Sequence, residues 1–204
     1  AEDEIQLTGH PVDRLPGLLS VVAPGLDGAS VVITVDCGTT AFEPLEQAVA
    51  DGLRKAQANY YGRRFNVDLD PEREVVVTMG SKEGLSSMAT AIVAPGDVVL
   101  APSPSYPIHT YGFIIAGATI RSVPTTPDEA YWEALDQAMA YTSPRPSVLV
   151  VNYPSNPTAE TVDIEFYERL VAWARENKVW VLSDLAYSEL YYDGKPTRSI
   201  LEVP

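Results

Sequence analysis

The sequence is poor in cysteine, histidine and basic side chains, and each shortage argues against a class of protein. Cys37 is the only cysteine among 204 residues, so an internal disulfide is impossible and a reducing, cytoplasmic location is predicted. His10 and His109 are the only histidines, which argues against a histidine-based metal site. The 14 basic and 28 acidic residues give a formal net charge of −14. Such a chain repels phosphate backbones and anionic lipid surfaces, so we predict no nucleic-acid partner and no membrane partner.

Long uninterrupted apolar runs are also missing. The most apolar early stretch, Leu15 to Val35, is broken by prolines, glycines and an aspartate, and no basic region precedes it. The sequence therefore predicts neither a signal peptide nor a membrane-spanning helix. Hydrophobic residues nevertheless make up 46% of the chain, which is enough for a packed core.

From about Glu74 onward, short β-branched runs alternate with longer amphipathic segments. This alternation is typical of βαβ units. The runs are apolar throughout rather than at every second residue, so helices should cover both faces of the sheet. We therefore predict an α/β fold with three layers, α/β/α, around a mostly parallel sheet. The predicted strands are 75–78, 98–100, 119–123, 147–151 and 179–182, and the predicted helices are 81–93, 108–116, 128–141 and 163–176.

The amino-terminal part of the chain gives weaker signals. Residues 1–41 are rich in glycine and proline and contain one β-like run, Val31 to Val35. The segment from Glu43 to Phe65 has a helical composition, with Gly52 as its weak point. Only one strand and one helix are therefore predicted ahead of the βαβ region.

Four polar clusters follow predicted strands, at the sheet edge where parallel α/β folds bind their ligands. One cluster opens a helix, where backbone N–H groups and the helix dipole favour a phosphate, although a helix cap explains it equally well. Asp184 ends a buried strand, and both a turn-forming role and a role facing a cation are open to it. The clusters are Gly80-Ser81-Lys82, Pro104-Ser105-Tyr106, Asn156-Pro157 and Asp184-Leu185-Ala186-Tyr187.

In this order, the four clusters resemble those of the fold-type I aminotransferases, which use pyridoxal 5′-phosphate. The stretches TMGSKEGL, SPSYPIHTYGFIIAGA and VVNYPSNPT look most like the branch that contains alanine and LL-diaminopimelate aminotransferases. The resemblance covers about Tyr60 to Pro204. It implies a homodimer that transfers an amino group between an amino acid and a 2-oxo acid. We accordingly divide the chain into a poorly matched amino-terminal segment, residues 1–58, and part of a cofactor-binding large domain, residues 59–204.

The resemblance also implies how the cofactor's phosphate and ring face are held. Ser81, Lys82 and the backbone N–H groups around Gly80 would bind the phosphate. The aromatic ring of Tyr106 would stack on the pyridine ring. These roles come from the family pattern and not from the spacing of the residues.

Three further residues would bind the edge of the cofactor ring, again by resemblance. Asn156 and Tyr187 would both form hydrogen bonds with the phenolic oxygen. The rigid turn at Pro157 would orient the Asn156 side chain for this role. Asp184 would pair with the pyridinium nitrogen, and this ion pair keeps the ring an electron sink. Asp184 is therefore expected to matter more for catalysis than Tyr187.

The covalent lysine of the family has no counterpart in this sequence. In the family it forms a Schiff base with the cofactor, and it lies in a Ser-x-x-Lys stretch beyond the Asp-x-Ala-Tyr motif. No lysine here has that context; the four are Lys55, Lys82, Lys178 and Lys195. We therefore expect a truncated large domain that is inactive by itself. Ala159 also departs from the family, which usually has glycine at this position.

Two other interpretations remain open at the level of sequence. The chain could be a non-catalytic ligand-binding or interaction module that keeps the aminotransferase fold. It could also be a nucleophilic enzyme built on Cys37 and His109, although a single cysteine and a distant histidine are more often packing residues.

Overall fold

The computed structural model describes residues 19–22, 32–36, 47–78 and 80–204. These residues form one α/β unit. Its strands are β1 (Leu19–Val22), β2 (Val32–Asp36), β3 (Val75–Val76), β4 (Val98–Ser103), β5 (Thr119–Pro124), β6 (Val148–Asn152) and β7 (Trp180–Asp184). Its helices are α1 (Gln47–Phe65), α2 (Ser81–Ile92), α3 (Ile108–Ile115), α4 (Glu129–Tyr141) and α5 (Ile164–Asn177), and a short 3₁₀ turn covers Ile200–Glu202.

The described strands form a single sheet in the order β3-β1-β2-β7-β6-β4-β5. All pairs from β2 through β7, β6 and β4 to β5 are parallel, whereas β1 runs antiparallel to both of its neighbours. The predicted mostly parallel sheet is therefore confirmed. The carboxyl ends of β4, β6 and β7 consequently meet at one edge, which is where the predicted polar clusters begin.

Neighbouring residues of the central strand β6 point to opposite sides of the sheet. Leu149 and Val151 pack into a core cluster with α4 and α5. Val148 and Val150 pack into a second cluster with α2 and α3. Both faces of the sheet are therefore buried, which confirms the predicted three layers and explains why the strand is apolar throughout.

The side of the sheet covered by α4 and α5 holds a group of packed aromatic rings centred on Phe166. The ring centroid of Phe166 lies 5.3 to 5.8 Å from those of Tyr131, Trp132, Tyr153 and Tyr167. Burial raises the pKa of the Tyr131 hydroxyl well above its usual value, so this side chain stays neutral. The group joins α4 to α5 and to the turn that follows β6.

Local signals in the sequence set the helix boundaries. The side chain of Asp128 accepts a hydrogen bond from Tyr131 N, and that of Asp163 accepts one from Phe166 N, so both residues are N-caps. Gly117, with φ 94°, follows α3 as predicted. One strand is shorter than predicted, because only Val75 and Val76 of the stretch 75–78 pair with β1.

The amino-terminal region contains one strand more than the sequence predicted. β2 matches the β-like run within one residue, but β1 lies in a segment that gave no signal. Helix α1 is as predicted from Gln47 onward, and residues 43–46 of the predicted helix lie outside the described residues. Helix α1 runs across the boundary that we drew between residues 58 and 59. The division of the chain at that point stays a prediction. None of the helices in the described part combines the length and apolarity that a bilayer span requires.

Candidate functional site

Helix α2 begins at Ser81, directly after Gly80, and follows strand β3 in the chain. Gly80 is the N-cap residue of α2 at φ 113° and ψ 144°, and as a glycine it has no side chain that could cap the helix. A Cβ atom at this position would meet no atom of the described residues beyond the chain neighbours within 4 Å, so the positive φ favours glycine here. Ser81 is buried at the first helical position, and Lys82 follows it at the surface. Backbone N–H groups at such a helix start favour a negatively charged ligand.

Tyr106 connects this loop to the start of α3. The Nζ atom of Lys82 lies 5.4 Å from the centroid of the Tyr106 ring. The Tyr106 ring also meets the His109 ring edge to face, with centroids 6.2 Å apart. The predicted phosphate loop and the predicted stacking residue are therefore neighbours.

Asp184, the last residue of β7, is a buried carboxylate with a buried partner. Its Oδ2 atom lies 2.8 Å from Nε2 of His109, and its Oδ1 atom accepts a hydrogen bond from Ala186 N at 3.2 Å. The residue is 3% exposed and His109 is fully buried. Because a carboxylate only accepts, Nε2 of His109 carries the hydrogen of this bond. A charge at this depth requires such partners, since burial without them is costly.

The turn after β6 is joined to β7 through two asparagines. Asn152 donates from Nδ2 to the backbone oxygen of Asp184 at 2.9 Å, and its Oδ1 accepts from Asn156 N at 2.8 Å. Asn156 in turn donates from Nδ2 to the Tyr187 hydroxyl at 3.1 Å. Asn152 therefore fixes the turn that presents Asn156 beside Tyr187.

The predicted site residues lie together at one edge of the sheet. A continuous series of contacts runs through Lys82, Tyr106, His109, Asp184, Asn152, Asn156 and Tyr187. Two of its members, His109 and Asn152, were not predicted as site residues. A detectable signal existed for both, since His109 stands three residues after Tyr106 at a helix start and Asn152 is the polar end of an apolar strand.

A cavity of about 1080 Å³ opens next to this series. One wall is the turn after β6, and the other is residues 187–198, which we call the strap. Asn156 and Tyr187 line the cavity together with Lys195 and Arg198 of the strap. Its volume lies at the upper end of the range usual for small-molecule sites.

The turn after β6 contains a residue in a strained conformation. Ala159 has φ 59°, in the left-handed region that favours glycine. An alanine there costs about 1 kcal/mol relative to an ordinary conformation. Where the sequence departs from the family's glycine, an alanine therefore adopts a strained conformation.

The four lysines are all exposed, including Lys82, the one that contacts the site. Lys195 lies in the wall of the cavity, in a turn where its backbone N–H donates to Asp193. The cysteine of the nucleophilic interpretation, Cys37, lies outside the described residues, while its proposed partner His109 pairs with Asp184. Within the described part of the chain, no group of three potential ligands could hold a metal ion.

Comparison with known proteins gives one consistent result. Residues 37–203 match the family described as aminotransferase class I and II. The chain is 46% identical over 152 residues to glutamate-pyruvate aminotransferase AlaC of Escherichia coli, covering 74% of the chain and 37% of that protein. It is 44% identical over 152 residues to LL-diaminopimelate aminotransferase of Aquifex aeolicus, covering 74% of the chain and 39% of that protein. The sequence-based assignment to this branch is confirmed.

A solved structure is similar as well. N-Succinyldiaminopimelate aminotransferase from Mycobacterium tuberculosis superimposes with a TM-score of 0.66 at 29% identity, covering 75% of this chain and 40% of that one. The predicted fold class is therefore confirmed. The chain spans less than two fifths of the length of these two curated relatives, at 37% and 39%. The alternative of a non-catalytic module finds no support among them.

Proposed function

Because the chain belongs to the class I and II aminotransferases, we propose that it forms the cofactor-holding part of an enzyme that transfers an amino group from an amino acid to a 2-oxo acid. The observation that carries this proposal is the unbroken series of contacts from Lys82 to Tyr187. It joins a helix start suited to phosphate, an aromatic ring, a buried carboxylate and two hydrogen-bond donors. The cofactor we propose for this set is pyridoxal 5′-phosphate.

The donors and the charges of the site fit that cofactor. When bound, pyridoxal 5′-phosphate supplies a protonated ring that withdraws electrons from the substrate. The Asp184 carboxyl group is buried, and in its carboxylate form it suits a cationic N–H group. The Tyr187 hydroxyl accepts from Asn156, which leaves its own hydrogen to donate to a ligand oxygen beside both residues. The start of α2 suits a phosphate.

His109 is proposed to hold the Asp184 carboxylate in place. Its Nε2–H group donates to Oδ2, while Ala186 N donates to Oδ1, so both carboxylate oxygens are oriented from the protein side. His109 therefore acts through Asp184.

The names of the relatives support the substrate class. AlaC is named for glutamate and pyruvate, and the protein of Aquifex aeolicus for LL-diaminopimelate. We accordingly propose an amino acid and a 2-oxo acid as substrates. The family resemblance supports the further proposal of a homodimer, and the single cysteine supports that of a cytoplasmic location. The cavity beside Asn156 and Tyr187 is where ligand groups extending beyond the cofactor would find space.

A binding titration tests the proposal. Pyridoxal 5′-phosphate is added to the 204-residue chain while tryptophan fluorescence is recorded, with pyridoxal and inorganic phosphate as matched ligands. We expect saturable quenching with the phosphorylated cofactor and binding at least about tenfold weaker with pyridoxal, because charged hydrogen bonds at the α2 start are lost. The absence of saturable quenching, or equal affinity for pyridoxal, would contradict the proposal.

A further inference from the structure

Helix α1 is bonded to the strap by Arg64 and Tyr60, and Arg64 makes most of these bonds. The Nη2 atom of Arg64 donates to the backbone oxygens of Ser188 and Thr197, at 3.4 and 3.2 Å. Its Nε atom donates to Oε1 of Glu189 at 2.9 Å, and Tyr60, one turn earlier on α1, donates to the same oxygen at 2.6 Å. The Arg64 side chain is only 17% exposed, so its bonds to the two backbone oxygens are partly shielded from water, whereas the Glu189 side chain is 51% exposed.

Arg64 contacts the strap near both of its ends, at Ser188 and at Thr197. Ser188 and Thr197 are nine residues apart in the chain, yet the Thr197 hydroxyl donates to the Ser188 oxygen at 2.7 Å. Between these ends the strap is exposed, and Tyr192 near its tip is 95% exposed. The strap thus depends on its two ends for its position.

The fastened end of the strap directly follows a proposed cofactor-binding residue. Tyr187 precedes Ser188, and its hydroxyl accepts a hydrogen bond from Asn156, which lines the same cavity. A shift of Ser188 would therefore carry the Tyr187 hydroxyl away from Asn156. Contacts made by α1, on the far side of the strap, are in this way coupled to the geometry of the site.

We propose that Arg64 is a positioning residue for the cofactor: by fixing Ser188 and Thr197 to α1, it places the Tyr187 hydroxyl beside Asn156. This inference rests on the proposed function. Arginine suits the role because its planar guanidinium directs several donors at fixed angles. A lysine at the same position would keep the charge but could not serve the two backbone oxygens and Glu189 together.

The test compares Arg64→Lys with Arg63→Lys, the same substitution at the exposed neighbouring position. Arg64→Lys is expected to weaken the affinity for pyridoxal 5′-phosphate roughly three- to tenfold, the effect of about one hydrogen bond. Arg63→Lys should leave the affinity unchanged. In a Tyr187→Phe background, Arg64→Lys should have no further effect, because the hydroxyl that it positions is gone. A full additional loss in that background would show a general structural role and overturn the proposal.

A second readout keeps this inference distinct from the proposed function. Hydrogen exchange is measured on the amides of residues 187–198 in the ligand-free chain, with α5 as the internal reference. Exchange in the strap should be faster in Arg64→Lys and unchanged in Arg63→Lys, because the strap ends are released. If the unmodified chain binds no cofactor, the proposed function is wrong, and so is the proposal that Arg64 positions the cofactor. The rate of hydrogen exchange still shows in that case whether Arg64 holds the strap in place. Unchanged exchange in Arg64→Lys would overturn the inference even if the cofactor binds.

Discussion

Replacing Asp184 by asparagine is expected to lower the affinity of the chain for pyridoxal 5′-phosphate roughly 100-fold or more. A carboxylate and a pyridinium nitrogen about 4 Å apart attract each other by roughly 4 kcal/mol at an effective dielectric constant near 20. Desolvation of the two groups reduces this to about 3 kcal/mol, and each 1.4 kcal/mol changes affinity tenfold. Asparagine retains the shape of the side chain and an oxygen that can accept from His109, so the fold should survive.

The matched comparison for this substitution is Tyr187→Phe, which removes one hydroxyl and no charge. Its expected effect is about tenfold or less, because a single hydrogen bond to a ligand oxygen is lost. Affinities of the two variants would be measured by the same fluorescence titration, and far-ultraviolet circular dichroism would check that both are folded. Losses of similar size in the two variants would contradict the central role of Asp184.

Replacing Phe166 by alanine is expected to reduce the free energy of unfolding by about 3 to 5 kcal/mol. The ring lies among four other aromatic rings, and its removal leaves a cavity that the rigid neighbours cannot fill. A loss of this size is a large part of the total stability of an ordinary domain, which is about 5 to 15 kcal/mol. The variant should therefore unfold at a much lower denaturant concentration.

Two further variants control for this stability effect. Phe166→Leu keeps most of the buried volume and should cost less than half as much as Phe166→Ala. Tyr141→Ala removes an aromatic side chain that is 81% exposed, and its expected effect is within about 0.5 kcal/mol. Urea unfolding of the three variants gives the comparison. Equal effects of Phe166→Ala and Tyr141→Ala would show that the aromatic group does not stabilise the core.

The sequence predicted the features that depend on local patterns. The strands of the parallel sheet were found because a strand buried on both faces is apolar at every residue, as in β6. Asp128 and Gly117 marked a helix start and a helix end because capping depends on only a few neighbouring residues. The family was identified by the resemblance of the ordered polar clusters to those of known aminotransferases. Their meeting at one edge was predicted because the carboxyl ends of parallel strands assemble there.

Features that depend on distant residues were not predicted. Strand β1 is four residues long and pairs with β3, more than 50 residues away in the chain, so its own sequence carries little signal. The contact between His109 and Asp184 joins residues 75 positions apart, and only the fold brings them together. The bonds from Arg64 to the strap span 124 and 133 positions. In each case the partner is chosen by the topology of the sheet, which local patterns do not encode.

The central claim is that the residues from Gly80 to Tyr187 at this sheet edge form one cofactor site. The most direct test is to assign the backbone amide signals of the 204-residue chain by nuclear magnetic resonance and to add pyridoxal 5′-phosphate. We expect the largest shifts at the amides of Ser81, Tyr106, Asn156 and Asp184, and we expect all four to reach half of their full shift at the same ligand concentration. Shifts confined to exposed lysines far from the site, such as Lys55 and Lys178, or no shifts at all, would contradict it.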